Sequence, residues 1–282
     1  MSNTELKIAF VGGGNMASAL IAGLAGKLTP GRLIHVIDPH PDALDKLHTQ
    51  FGVTTAHAAS AVLSGMDVIV LAVKPQSMRE VAAQLLPYLE AAQTGKAPLV
   101  LSIAAGIRAA DLSRWLGAYG AIVRCMPNTP ALIGLGITGM VASPGVGVEQ
   151  KEAADAILKA VGATVWLDSE DLIDPVTAVS GSGPAYVFYF IEAMQAAAAE
   201  LGLNAEQGRQ LALATFVGAS QLAAQSSEPV SLLRERVTSK GGTTHAALSS
   251  MENSGIKQEI VEAVKAAARR GKELGDELGR AG

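Results

Sequence analysis

Up to about residue 168 the chain alternates short, nearly unbroken apolar runs with longer segments of mixed polarity. The runs are KIAFV, LIHVID, VTTA, DVIVLAV, PLVLSIA, AIVRCM, GITGMVA and TVWLD. Each is too short for a helix that could stand alone, and most are rich in Val and Ile. Such runs predict strands buried on both faces of a mainly parallel sheet. Between them, Met16 to Leu24, Gln76 to Leu89, Ala109 to Leu116 and Glu149 to Val161 read as helices. Alternation of this kind defines an α/β domain.

After Asp168 the strand pattern stops. Tyr186, Phe190 and Met194 recur every four residues within Pro184 to Leu201, which draws one helix face. Asn204 followed by Gln207 reads as a capping box opening a second helix. Ile256, Ile260, Val264, Leu274 and Leu278 mark a stripe on a long final helix. The chain therefore divides into an α/β domain, residues 1–168, and an all-helical domain, residues 169–282. No internal repeat or low-complexity linker separates them, so a tight boundary near Ser169 is expected.

Composition narrows the partners. Of 282 residues, 49% are apolar and 17% charged, and the net charge of −4 offers no basic stripe for nucleic acid or an anionic membrane. The longest uncharged run, Cys125 to Val148, is interrupted by Pro127, Asn128, Pro130, Gly134, Gly136, Pro144 and Gly145, which argues against a membrane span. The N-terminus lacks the basic start and apolar core of a signal peptide, so a cytoplasmic protein is expected. The single cysteine, Cys125, excludes an internal disulfide and a thiolate zinc site, and no metal is expected. The apolar excess in an alanine-rich chain suggests helices buried against a second copy.

Val11 leads directly into GGGNMA. Gly12, Gly14 and Ala17 fit the G-x-G-x-x-G/A turn, in which the first glycine permits the bend and the second admits a pyrophosphate to the backbone amides. Gly13, Asn15 and Met16 complete the turn and open a helix whose N-terminus favours anions. Asp38 closes the second strand, where a carboxylate accepts hydrogen bonds from an adenosine ribose and repels a 2′-phosphate. It is equally a turn former before Pro39. Ligands of open parallel sheets lie beyond the carboxyl ends of the strands. Ala72, Val73, Lys74 and Pro75, then Ala104 and Ala105, then Asn128 follow three such ends and are further candidates for a dinucleotide, NADP(H) or NAD(H).

A second polar loop, VTSKGGTTHAAL from Val237 to Leu248, sits between helical segments. It is not a phosphate loop, because Lys240 precedes Gly241 and Gly242 rather than following them. Taken alone, its hydroxyls and glycines equally suit a helix-to-helix turn with an N-cap.

Taken together and in this order, GGGNM, LAVKP, SIAAG, RCMPNTP, SGSGPAY and VTSKGGTTHAAL resemble pyrroline-5-carboxylate reductases over nearly the whole chain. The resemblance implies reduction of 1-pyrroline-5-carboxylate to L-proline by NAD(P)H, the last step of proline biosynthesis. It also implies a Rossmann domain, a helical dimerisation domain, and dimers that associate into rings such as a decamer. With such a substrate, the amides of Gly241, Gly242 and Thr243 at a helix start can bind the carboxylate, Ser239 belongs to the same substrate-binding loop, and the resemblance places Thr244 at the ring nitrogen. It sets Ser180 and Ser182 near the substrate, although the aromatic cluster Tyr186, Phe188, Tyr189 and Phe190 reads first as a subunit interface. Asp38 departs from the common family pattern, which leaves the choice of coenzyme open. Two rivals remain at this level: a hydroxyacid dehydrogenase, which would need a lysine absent from Val176 to Gln207, and a non-catalytic nucleotide sensor.

Overall fold

The structure, a computed structural model, describes residues 5–92 and 97–280. Its centre is an eight-stranded sheet ordered β3-β2-β1-β4-β5-β6-β7-β8. β1 (Ile8–Val11) lies between β2 (Ile34–Ile37) and β4 (Val68–Leu71), with Ile8 opposite both Ile34 and Val68. Successive side chains point to opposite faces. Ile8 and Phe10 accordingly enter one core with α1 (Asn15–Leu24), α2 (Pro41–Phe51) and α5 (Val148–Lys159), whereas Ala9 and Val11 enter a second with α3 (Met78–Ala92) and α4 (Ala109–Trp115). Burial on both faces is what makes these strands read as continuous apolar runs.

The remaining strands, β3 (Thr54–Ala56), β5 (Leu99–Ser102), β6 (Ile122–Met126), β7 (Gly136–Ala142) and β8 (Gly162–Trp166), match the predicted runs. Among the described residues, β6 and β7 form the one antiparallel pair. A short 3-10 segment, Thr129–Ile133, joins them, too little chain for a crossover helix; α5 supplies one between the parallel β7 and β8. The edges β3 and β8 depart from burial on both faces. Val165 is 46% and Trp166 37% exposed, as an outer strand with no neighbour beyond it requires.

The compact unit built on this sheet runs through Ser182 and takes in the chain from Ala267, so it does not end at the expected 168/169 boundary. Charge pairing explains the difference. Arg124, 4% exposed on β6, meets Glu170 at 2.8 Å and Asp174 at 4.0 Å, and Glu170 also accepts the Ala109 N–H at 2.7 Å. α6 (Ile173–Val176) brings Val176 against β7, where a Cβ on Gly139 would stand 2.7 Å from Val176 Cγ1. Further on, Arg108 pairs with Asp276 at 2.6 Å. The ion-pair and amide contacts among them lie between polar groups, which hydrophobic periodicity does not reveal.

The other unit, Gly183–Ala266, is helical: α7 (Gly183–Glu200), α8 (Ala205–Gln225), α9 (Val230–Arg236), α10 (Thr243–Asn253) and the first turns of α11 (Ile256–Arg280). The capping box forms as predicted, with Gln207 N–H donating to Asn204 Oδ1 and Asn204 N–H to Gln207 Oε1. Within residues 183–266 only Ile191, Gly208 and Ala212 are buried. Phe188, Tyr189, Leu201, Leu211, Val217 and Leu222 are all more than half exposed. A unit with so little core of its own needs an apolar partner to be stable. Among the described residues, no helix is long and apolar enough to cross a membrane.

Candidate active site

β1 ends at a turn whose geometry demands glycine. Gly12 has φ +100, and a Cβ there would lie 2.6 Å from the Ala72 carbonyl oxygen at the end of β4. Two neighbouring strand ends thus close on a backbone with no side chain. Gly14 is the N-cap of α1 and has nothing within 4 Å of where its Cβ would be, and no side chain caps the helix. The first amides of α1 therefore face open space with partial positive charge, as a pyrophosphate requires. At the third motif position Ala17 is buried, which holds the helix close to the sheet.

Asp38 sits beside this turn. Gly13 N–H donates to its Oδ2 at 2.7 Å, His40 N–H donates to Oδ1 at 2.9 Å, and the His40 Nδ1 is also 2.9 Å from Oδ1. Burial alone would raise this carboxyl; the Gly13 and His40 amides and the His40 ring outweigh it and hold Asp38 below the usual aspartate value. Turn former and cleft residue are therefore the same side chain.

Around the turn lies a cleft of about 840 Å³. Of the sequence candidates it brings together Val11, Gly12, Gly14, Asp38, Ala72, Val73 and Lys74. The others stand apart from its lining. Gly13 gives its N–H to Asp38, Asn15 is exposed at the start of α1, and Met16 packs on the core. Pro75 opens a 3-10 turn, Ala104 is buried in the second core and Ala105 is exposed. His57, Ala58 and Ala59, with Ser77 just before α3 and Glu80, Val81, Gln84 and Tyr88 along it, line the cleft without having been predicted. The first three follow the end of β3, so the strand-end rule reaches them once VTTA is treated like its neighbours. The α3 residues carry no such signal.

Asn128 has a different task. It is 8% exposed, its Nδ2 donates to the Ser180 carbonyl at 3.2 Å, and its Oδ1 accepts the Ile137 N–H at 2.9 Å. It ties the start of β7 to the SGSG elbow, which the chain enters through a π turn, Thr177–Gly181. Cys125, next to this network, is 1% exposed, and burial pushes its thiol up, away from the thiolate a nucleophile needs. Among the described residues no cluster of metal-ligating side chains occurs.

In the helical unit, the glycine loop runs into α10. Gly241 has φ +77, and Gly242 is the extended N-cap with no side-chain cap. The Gly242 N–H donates to Ser239 O at 3.0 Å, so it closes a turn, contrary to the expectation that it serves an incoming carboxylate. The donors without a carbonyl one turn earlier are those of Thr243, Thr244 and His245, at the first helical positions. Thr238 hydroxyl donates to Arg234 O at 2.6 Å, which fastens the loop to the end of α9. Ser239 and Thr243 are exposed and Thr244 is half-buried.

A doubly wound sheet, a glycine turn opening on a cleft at the strand ends, and an appended helical unit define the class of dinucleotide-dependent oxidoreductases. In agreement, the profile described as NADP oxidoreductase coenzyme F420-dependent matches residues 7–106, and that of pyrroline-5-carboxylate reductase dimerisation matches residues 170–274. The chain is 43% identical to the pyrroline-5-carboxylate reductase of Pseudomonas aeruginosa over 97% of its length and 98% of that protein's. It is 38% identical to that of Escherichia coli, covering 96% and 98%. The structure of the Coxiella burnetii enzyme superimposes with a TM-score of 0.90 at 39% identity, covering 96% and 99% of the two chains. The Plasmodium falciparum pyrroline carboxylate reductase, solved with NADP bound, gives 0.83 at 30% identity, covering 96% and 98%. The chain belongs to the pyrroline-5-carboxylate reductase family.

Proposed function

We propose that this chain reduces 1-pyrroline-5-carboxylate to L-proline, with the nucleotide held at the Gly12–Gly14 turn and the substrate at the start of α10. The observation that carries this reading is a pair of helix starts without side-chain caps, each opened by glycine, on a chain of this family. When bound, NAD(P)H supplies the hydride. The amides of α1 hold its pyrophosphate, and Val73 and Lys74 border it. Val11, Gly13, Asn15, Met16, Pro75, Ala104 and Ala105 shape the turns around it, and Asn128 positions the elbow without touching the nucleotide.

On the substrate side, the amides of Thr243 and Thr244 bind the carboxylate, with the helix end adding about 0.3 to 1 kcal/mol beyond the hydrogen bonds themselves. Gly241 and Gly242 keep side chains out of that approach, and Ser239 closes the turn beneath it. The Thr244 hydroxyl accepts from an iminium N–H or donates to a neutral imine nitrogen, and so orients the adjacent ring carbon toward the hydride. If the imine arrives protonated, no separate general acid is required.

The exposed apolar faces of α7 and α8 support a homodimer built through the helical unit, and further association of dimers into a ring such as a decamer belongs to the same proposal. We place the protein in the cytoplasm. The direct test is nucleotide oxidation by the pure protein with pyrroline-5-carboxylate. L-proline should form in equal amount; a protein that binds nucleotide yet leaves the imine unreduced would be a sensor instead.

A further inference from the structure

We propose that Asp38 makes this enzyme select NADH over NADPH. The inference rests on the nucleotide reading of the cleft. It adds to that reading which coenzyme the cleft admits.

The carboxylate lies at the end of β2 and lines the cleft beside the Gly12–Gly14 turn. At this place in a doubly wound fold an acidic side chain accepts from the ribose 2′-hydroxyl. Two features make Asp38 a fixed charge rather than a mobile one. Its side chain is only 13% exposed, and its oxygens are gripped by the Gly13 and His40 amides and by the His40 ring. Gly13 belongs to the phosphate turn itself, so swinging Asp38 away would break a bond of the element that holds the pyrophosphate. The carboxyl stays ionised at neutral pH because these donors favour the charged form.

A 2′-phosphate would bring up to two further negative charges against this carboxylate. Relief would require a cation nearby, and the cleft supplies little. Among the described residues no arginine lines it, and the cationic or titratable nitrogens in its lining are those of Lys74, His40 and His57. Lys74 follows β4, on the far side of β1 from Asp38. His40 is already engaged with the carboxylate it would have to neutralise. Glu80, also in the lining, adds another negative charge. An adenosine ribose with a free 2′-hydroxyl, by contrast, finds an acceptor in Asp38 Oδ2, which takes one in-chain donor and has a second lone pair.

The test is calorimetric titration of the full chain with NADH and with NADPH, without substrate, followed by the same titrations on two variants. Wild type should bind NADH at least about tenfold more tightly. Asp38→Ser should narrow or reverse that ratio by weakening NADH and strengthening NADPH. Asp38→Asn, which keeps an acceptor for Gly13 N–H while removing the charge, should recover NADPH binding with its Tm closer to wild type. Equal or tighter binding of NADPH by wild type overturns the proposal, as does an unchanged ratio in both folded variants. If neither nucleotide binds, the nucleotide reading of the cleft falls as well. Preference for NADH with no turnover of the imine would leave the selectivity standing and overturn only the proposed reaction.

Discussion

The smallest features decide the chemistry. In the proposed reaction Thr244 is the hydroxyl at the reacting nitrogen, so Thr244→Val is expected to lower kcat/KM by roughly ten- to a thousandfold, the loss of one positioned hydrogen bond. Nucleotide affinity, measured by titration, should stay near wild type. Wild-type turnover would show the hydroxyl to be idle. Asp38 carries a second prediction, in pH. Its folded value lies below the ordinary aspartate value of 3.8, so its stabilising contribution is fully present above that value and is lost as pH falls through the lower folded one. Asp38→Asn should therefore lower Tm at neutral pH, with the gap to wild type closing in acid. A constant gap across the series would mean that charge contributes nothing there.

Among the elements, the segment after β8 shows how polar anchoring extends a sheet domain. Glu170 holds the buried Arg124 on β6 and caps the first amide of α4. Glu170→Ala leaves that guanidinium with Asp174 at 4.0 Å, and should destabilise the sheet unit by about 3–5 kcal/mol in denaturant titration. A change under 1 kcal/mol would mean solvent reaches the charge. The sequence made the inner strands legible because their runs are buried on both faces, made the edges β3 and β8 legible through β-branched residues alone, and made the α8 cap legible because Asn204 and Gln207 act locally. It concealed what depends on distant polar partners. The extension of the first unit to Ser182 depends on Arg124, and the clamp at Asn128 on Ser180 and Ile137, neither of which has a periodic signature. Asn128 followed a strand as a ligand residue would, yet its amide is engaged at both ends within the chain.

At the scale of the whole molecule, a helical unit with three buried residues among 84 has little core of its own, and the proposed homodimer would supply the rest. In that proposed dimer, stability and assembly are one property. Tm should rise with protein concentration, and Leu211→Glu on the exposed apolar face of α8 should shift sedimentation toward monomer and lower Tm together. A dimer unaffected by such a charge would place the interface elsewhere. The central claim is that hydride passes from a nucleotide at the Gly12–Gly14 turn to an imine carbon oriented by Thr244. Deuterium at the transferable nicotinamide position followed into product by NMR tests it most directly. Label should appear on the proline methylene carbon next to nitrogen, not on the carbon that bears the carboxylate, and Thr244→Val should slow its appearance. Proline formed without label at that carbon, or labelled at an undiminished rate by the variant, would contradict it.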